Sequence, residues 1–320
     1  MAEDSTVETY GDRAIEALAK HSQKMLKHEA GVWEDQDPEA LHQMRVGMRR
    51  LRTALVGFSR AIEVPKAAQE KKVGKIAREL GTLRDLDVLK QSLETDYFPS
   101  LPVTEQEKLQ LVFKEVAKQR QQAYKKVTKT LESKDYQKLK SRLKQWLENP
   151  QLSAIASFPL TEVLPDLLLP HISNLLLHPG WLVGKNSDRD SATILDQEGE
   201  TLHSLRKAAK KARYQMELFT HCYDEPYQQY VKQIKAIQST LGETQDSVVL
   251  RAFLKRCCGE EFSQELPHLN EQLMVFRSQK WREWEQLQQY FLDRATRQNL
   301  RLTVQNPSLQ ETATDSVANS

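Results

Sequence analysis

Apolar residues recur at helical spacing along most of the chain, and turn-forming residues divide this pattern into segments. A period close to 3.6 residues is typical of amphipathic α-helices, so we predict an all-α protein. The predicted helices span about residues 9–30, 38–62, 66–93, 103–148 with a break near Ser133, 160–177, 191–221, 227–257 and 268–300.

The segment 149–159 interrupts the helical spacing and has the character of a linker. We therefore expect residues 1–150 to form one four-helix bundle and residues 151–300 to form a second. Residues 301–320 are rich in Ser, Thr, Gln and Asn and lack a packed pattern, so we predict a disordered tail.

Two motifs of the first half recur in the second half at a constant distance. Leu241-Gly242 follows Leu80-Gly81 after 161 residues, and the same offset relates two basic motifs. The equivalent pairs of the basic motifs are His42 and His203, Arg45 and Arg206, Arg49 and Lys210, Arg50 and Lys211, and Arg52 and Arg213. The shared offset indicates an internal duplication and predicts two pseudo-symmetric bundles.

Each basic motif places a row of cations beside an apolar helix face. No acid occurs between Glu39 and Glu63, or between Glu200 and Glu217, whereas a solvated helix usually mixes its signs. We interpret the rows as two facing walls of one groove for a repeating oxyanion, because arginine and lysine both suit phosphate groups. The predicted binding residues are His42, Arg45, Arg49, Arg50, Arg52, Lys71, Lys75, Arg78, His203, Arg206, Lys207, Lys210, Lys211, Arg213, Tyr214, Lys232 and Lys235.

The third helix of each half contributes unequally to this site. Ala236 and Ser239 stand in the second half where Lys75 and Arg78 stand in the first, so we expect an asymmetric groove. Asp85 and Asp246 are predicted to orient nearby arginines.

Other sequence features argue against an enzyme, a secreted protein or a membrane protein. There are 46 basic and 44 acidic residues, and the net charge of +2 is uninformative by itself. The three cysteines, Cys222, Cys257 and Cys258, fit neither a disulfide framework nor a CxxC metal site. We find no secretory signal, no long apolar run, no phosphate-binding glycine loop and no carboxylate cluster for Mg²⁺. We therefore expect a cytoplasmic, non-enzymatic protein without cofactor or metal.

The motifs resemble those of the CHAD family of all-helical domains. The first half carries His42-x-x-Arg45-Val46-x-x-Arg49-Arg50-Leu51-Arg52 and Leu80-Gly81-x-x-Arg84-Asp85-x-Asp87-Val88. The second half carries His203-x-Leu205-Arg206-Lys207-x-x-Lys210-Lys211-x-Arg213-Tyr214, but has Gln245 where Arg84 stands in the first half. The resemblance implies two four-helix bundles related by pseudo-twofold symmetry around a basic channel that binds inorganic polyphosphate. It also implies an association with polyphosphate granules.

Two other functions remain open from the sequence. The cation rows could bind the phosphate backbone of RNA, although Tyr214 is almost their only aromatic residue for base stacking. The chain could also be an enzyme that metabolises polyphosphate, although it lacks the carboxylate cluster for Mg²⁺ that phosphoryl transfer normally requires.

Overall fold

The computed structural model describes residues 7–185, 187–259 and 261–308, and in these ranges the chain is all-α, as predicted. Their only β-type pairings are two isolated bridges. The helices are α1 (Tyr10–Lys27), α2 (Glu29–Glu34), α3 (Pro38–Gly57), α4 (Glu70–Ser92), α5 (Val103–Glu132), α6 (Lys134–Glu148), α7 (Leu160–Leu176), α8 (Ser191–Glu217), α9 (Glu225–Cys258), α10 (Phe262–Glu265), α11 (Pro267–Leu292) and α12 (Arg294–Gln305).

Side-chain caps determine where several of these helices begin. The Asp37 side chain accepts a hydrogen bond from the Glu39 N–H at the start of α3, and proline occupies the first turn. Asp190 caps α8 through the Thr193 N–H. Ser133 caps α6 through the Tyr136 N–H, so the predicted break near Ser133 is confirmed.

The long helices of the two halves pack in the same order. In the first half α1 packs on α3, α3 on α4 and α4 on α5, whereas in the second α7 packs on α8, α8 on α9 and α9 on α11. The halves meet where α3 packs on α8 and α5 packs on α9. This arrangement brings the two helices that carry the basic motifs together.

The contact between the halves is a continuous hydrophobic core. Phe58 and Phe219 meet edge to face with ring centroids 5.4 Å apart, and both side chains are fully buried. Gln215 Nε2 donates a hydrogen bond to the Thr53 carbonyl at 3.1 Å. The main cluster of buried apolar residues draws on both halves, so residues 1–150 and 151–300 do not enclose separate cores.

Phe58 and Phe219 are also equivalent positions of the internal repeat, 161 residues apart. Equivalent residues contact one another where a twofold axis passes between them. The Phe58–Phe219 contact therefore supports the expected pseudo-twofold relation at the centre of the molecule. The symmetry of the complete bundles stays a prediction.

The expected boundary of the disordered tail at residue 301 is wrong. Helix α12 continues to Gln305, and Val304 is fully buried beside Leu300. The Tyr223 hydroxyl donates a hydrogen bond to the Val304 carbonyl at 3.0 Å. Two apolar residues spaced by one helical turn suffice to dock this polar segment. Residues 309–320, the rest of the predicted tail, lie outside the described residues.

None of the described helices is both long enough and apolar enough to cross a bilayer.

Candidate functional site

The basic rows of α3 and α8 come together where these two helices pack, and we call the region between the rows the groove. Lys210 on α8 is half-buried, and its pKa is lowered to about 8. Removal from solvent is the main cause, and repulsion by Arg206, Arg49 and Arg45 adds to it. Because Arg45 and Arg49 belong to α3, the structure brings together cations that are far apart in sequence.

Glycines on the neighbouring helices accommodate three arginines of these rows. Arg45 Nη1 donates a hydrogen bond to the Gly81 carbonyl at 3.0 Å, and a β-carbon at Gly81 would lie 3.2 Å from this nitrogen. A β-carbon at Gly242 would lie 3.0 Å from Arg206 Nε, and one at Gly74 would lie 3.1 Å from the Arg52 guanidinium. Glycine thus lets a guanidinium lie directly against a helix backbone. This contact explains why Gly81 and Gly242 recur with the basic motif.

Tyr214 lies between arginines from the two halves. The guanidinium carbon of Arg49 is 4.8 Å from the centre of its ring, and that of Arg213 is 4.2 Å away. Arg213 is buried and donates hydrogen bonds to Gln238 Oε1 at 2.9 Å and to Glu217 Oε1 at 2.7 Å. These hydrogen bonds fix the Arg213 side chain beside Tyr214, and Glu217 partly neutralises the Arg213 charge.

Arg49 and Arg206 retain unused hydrogen-bonding capacity. The Nε atom of each side chain is buried and has no hydrogen-bond partner within the part of the chain that the structure describes. A buried donor without a partner is costly, so these groups favour an acceptor that enters the groove.

The pKa values of both motif histidines are lowered. Burial is the main cause that lowers the pKa of His42, and Arg84 is the strongest of the nearby cations that add to it. Burial likewise lowers the pKa of His203, with further contributions from Lys207 and Arg206. An anion beside either ring would oppose these effects and favour protonation.

Acidic residues from neighbouring helices enter the groove. Glu70 Oε1 accepts a hydrogen bond from Arg52 Nε at 2.8 Å, so the Arg52 charge is neutralised although no acid lies near it in sequence. Arg45 Nη1 lies 3.4 Å from Asp85 Oδ1, in agreement with the predicted orienting role. Partial removal from solvent raises the pKa of Asp246, and Asp85 and Glu243 add to this by charge repulsion, whereas Arg206 opposes it.

Several predicted site residues lie away from the facing rows. Arg50 is exposed, and its charge helps to lower the pKa of His21 on α1. Lys211 is also exposed, and its charge helps to lower the pKa of His171 on α7. Lys232 is exposed and pairs with Glu225 at 3.7 Å.

Lys71, Lys75, Arg78 and Lys235 form no side-chain hydrogen bond or ion pair with the facing rows in the described structure, whereas Lys207 lies on α8 and its charge helps to lower the pKa of His203. Lys75 lines a small cavity of about 180 Å³ together with Lys66, Lys72, Asp135 and Lys138. The other exposed cations among the predicted binding residues are Lys71, Arg78, Lys207 and Lys235. Their part in binding stays a prediction.

Arg84 was missed as a site residue, although it stands inside the Leu80–Val88 motif. Arg84 lies about one turn after Gly81 in α4, and the Gly81 carbonyl accepts a hydrogen bond from Arg45. The helical spacing alone could therefore have placed Arg84 at the groove. Glu70 and Glu243 carried no such signal, because their roles depend on how the helices pack.

Comparisons with known proteins agree with the architecture and the motifs. The family model described as CHAD domain matches residues 16–255, and the chain belongs to this family. The crystal structure of the CHAD domain from the plant Ricinus communis is 25% identical, with a TM-score of 0.59 and 95% of each chain covered. PptA from Streptomyces chartreusis shares the fold at 15% identity, with a TM-score of 0.61 and 88% of this chain and 99% of that chain covered. A search of curated proteins found no significant match.

Proposed function

We propose that the chain binds inorganic polyphosphate in the groove between α3 and α8, and that it does so without chemical turnover. The observation that carries this proposal is the placement of Lys210 among Arg45, Arg49 and Arg206. Like charges gathered in a partly desolvated site repel one another, and a bound polyanion relieves this repulsion.

The arrangement of the cations favours a repeating anion over a single phosphate. Successive cations on each helix are three or four residues apart, so they form rows in which neighbouring Cβ atoms are about 5–6 Å from one another. Two such rows can bind several phosphates of one chain at once. The CHAD resemblance, which implies polyphosphate binding, supports the same ligand.

Charge reversal at Lys210 tests the location of the site. We expect Lys210→Glu to weaken binding of long-chain polyphosphate by at least about 100-fold at fixed salt, because it places an acid among the groove arginines. Lys144→Glu makes the same charge change at an exposed position of α6 and should retain affinity within about threefold. Isothermal titration calorimetry gives both values, and circular dichroism checks helicity.

Equal weakening by the two variants would show that the groove is not the site and that net charge governs binding. Unchanged affinity in Lys210→Glu would exclude the groove altogether. Wild-type affinity should also fall steeply with salt, since a bound polyelectrolyte releases its counterions.

RNA is the less favoured polyanion because the groove lacks an accessible stacking platform. Tyr214 is buried, and its ring contacts Arg49 and Arg213. We expect RNA to compete poorly against polyphosphate at equal phosphate concentration and one salt concentration. Stronger binding of RNA would replace polyphosphate as the proposed ligand.

The proposed lack of turnover is tested separately. The protein, polyphosphate and Mg²⁺ are incubated together, and orthophosphate release is measured against a protein-free control. We expect no release above the control, whereas release that Lys210→Glu abolishes would establish an enzyme.

We propose a cytoplasmic location with association to polyphosphate granules, which rests on the family resemblance. A fluorescently tagged chain should co-localise with granules, and Lys210→Glu should be diffuse.

A further inference from the structure

Three metal-ligating side chains meet outside the groove, where the start of the chain contacts the connection between α8 and α9. His221 Nε2 lies 3.1 Å from Glu8 Oε2 and 3.2 Å from Cys222 Sγ. One ligand atom from each side chain lies within 4.8 Å of the other two. Glu8 and Cys222 belong to opposite halves of the molecule, so only the fold brings these groups together.

Hydrogen bonding alone satisfies this cluster poorly. The carboxylate and the thiol both approach Nε2, and this nitrogen either carries a proton or accepts one. Protonated Nε2 can donate to Glu8 but cannot accept the thiol proton. Unprotonated Nε2 can accept from Cys222, but its lone pair then faces the Glu8 carboxylate.

The arrangement also differs from that of a nucleophilic cysteine. In a catalytic triad the thiol and the carboxylate contact opposite nitrogens of the imidazole, whereas here both contact Nε2.

A divalent cation would use all three groups together, because each can direct a lone pair at the same point. Tetrahedral zinc forms bonds of about 2.0–2.3 Å to carboxylate oxygen, imidazole nitrogen and thiolate sulfur, which separates neighbouring ligand atoms by about 3.3–3.7 Å. The separations of Nε2 from the carboxylate and from the thiol need to widen by a few tenths of an ångström to reach this geometry, and the carboxylate and the thiol lie within 4.8 Å of each other.

One side chain of this cluster is buried, and the other two can be reached from solvent. Cys222 is fully buried, whereas the side chains of His221 and Glu8 are 39% and 29% exposed. The backbone is fixed on both sides, because the Leu160 N–H donates to the Glu8 carbonyl and the Ser308 N–H donates to the Cys222 carbonyl. The Arg13 guanidinium lies close enough to influence the thiol and opposes a cation at this position.

We propose that Glu8, His221 and Cys222 form a binding site for a zinc-class divalent cation, with a fourth position open to water. The mixed oxygen, nitrogen and sulfur donors favour Zn²⁺ or Co²⁺ over Mg²⁺ or Ca²⁺, which prefer oxygen ligands alone. On binding, the sulfur–metal bond replaces the S–H bond and the proton passes to solvent. The bound ion links the start of the chain to the α8–α9 connection, and this role is independent of polyphosphate.

Cobalt titration of the full, reduced chain tests the proposal, with Co²⁺ alone as the probe. We expect one equivalent to bind and to produce a thiolate-to-cobalt charge-transfer absorption. Cys222→Ser should remove this absorption and weaken Co²⁺ binding at least about tenfold. The matched control is the double variant C257S/C258S, which removes the two partly exposed thiols and should keep the absorption.

Glu8→Gln provides a second variant at a more exposed position, in case Cys222→Ser fails to fold. It should weaken Co²⁺ binding while circular dichroism and polyphosphate affinity stay unchanged. Absence of the charge-transfer band in the wild type, or its loss only in the C257S/C258S variant, would overturn the proposed site. Zn²⁺ should also raise the wild-type melting temperature but not that of Glu8→Gln at the same concentration.

Discussion

Lys210 connects binding to pH at the scale of a single residue. Its pKa of about 8 in the free protein lies below the ordinary value of 10.5, and neighbouring phosphates would raise it again. Binding therefore takes up a proton above about pH 8. We expect polyphosphate affinity to fall by up to about tenfold per pH unit between pH 8 and 10.

The matched variant for this prediction is Lys210→Arg, which keeps its charge throughout the range. Calorimetry in two buffers of different ionisation enthalpy should detect proton uptake in the wild type and less uptake in Lys210→Arg. An identical pH profile for both proteins would show that Lys210 does not bind the anion.

The same residue should reduce the stability of the unliganded protein. A lysine whose pKa is lower in the folded state than in the unfolded state binds fewer protons when folded, so its cost is greatest below about pH 8. This cost declines as the pH rises from 8 to 10.5. We expect Lys210→Gln to increase the free energy of unfolding by about 1 kcal/mol at pH 7 and to weaken polyphosphate binding.

Urea unfolding at pH 7 and pH 10 measures the effect, which should be smaller at pH 10. Lys144→Gln removes an exposed cation and serves as the control, with an expected change within about 0.5 kcal/mol. A loss of stability in Lys210→Gln at pH 7 would contradict the proposed repulsion.

Sequence periodicity could predict the facing rows but not their neighbours. Arg49 and Lys210 were identified because they recur at equivalent positions beside an apolar face. The pairing of Arg52 with Glu70 and the influence of Arg84 on His42 join residues on different helices. Such contacts depend on the approach and rotation of two helices, which a one-helix pattern does not contain.

At the scale of helices, the crossing of α1 and α3 depends on a glycine. A β-carbon added at Gly47 would lie 2.6 Å from the Met25 backbone nitrogen, and backbone cannot move aside as a flexible side chain can. We expect Gly47→Ala to decrease the free energy of unfolding by at least about 2 kcal/mol, because the helices must separate. Thermal and urea unfolding provide the measurement.

Gly199→Ala is the matched control for this substitution. Gly199 also lies inside a helix, α8, but a β-carbon there would meet nothing within 4 Å. Alanine should stabilise this helix by up to about 1 kcal/mol through its higher helix propensity. Stabilisation by both substitutions would show that α1 and α3 cross at a greater distance than the structure indicates.

The helix boundaries show where a local sequence signal was enough to predict the end of a helix. Ser133 marked a break that its own side chain caps, so a local interaction produced the boundary. The end of α12 was misjudged because Val304 is buried by residues of other segments, including Tyr223. A polar composition therefore predicts disorder only where no distant surface covers the few apolar residues.

At the scale of the whole molecule, the connection between the halves is part of the folded structure. The Ser153 N–H donates to the Ala61 carbonyl at 3.0 Å, and the Glu63 N–H donates to the Gln151 carbonyl at 2.9 Å. These hydrogen bonds attach the segment 149–159 to the end of the α3 region. Together with the shared core, they favour unfolding as one unit over two independent bundles.

Phe58→Ala tests this cooperativity. Phe58 is fully buried at the centre of the molecule, where it contacts both Tyr10 and Phe219. Removing its ring should decrease the free energy of unfolding by about 3–5 kcal/mol, and both halves should lose stability together. Phe158→Ala is the control, because Phe158 is 49% exposed and its replacement should cost much less.

Native-state hydrogen exchange followed by mass spectrometry distinguishes the two halves by their peptides. In Phe58→Ala, the most protected amides of α3 and of α8 should exchange faster by a similar factor, because the global opening reaction controls both. Faster exchange confined to α3 and its neighbours α1 and α4 would mean that the second half unfolds separately. The groove, whose walls come from α3 and α8, would then depend on the docking of two stable units rather than on one shared core.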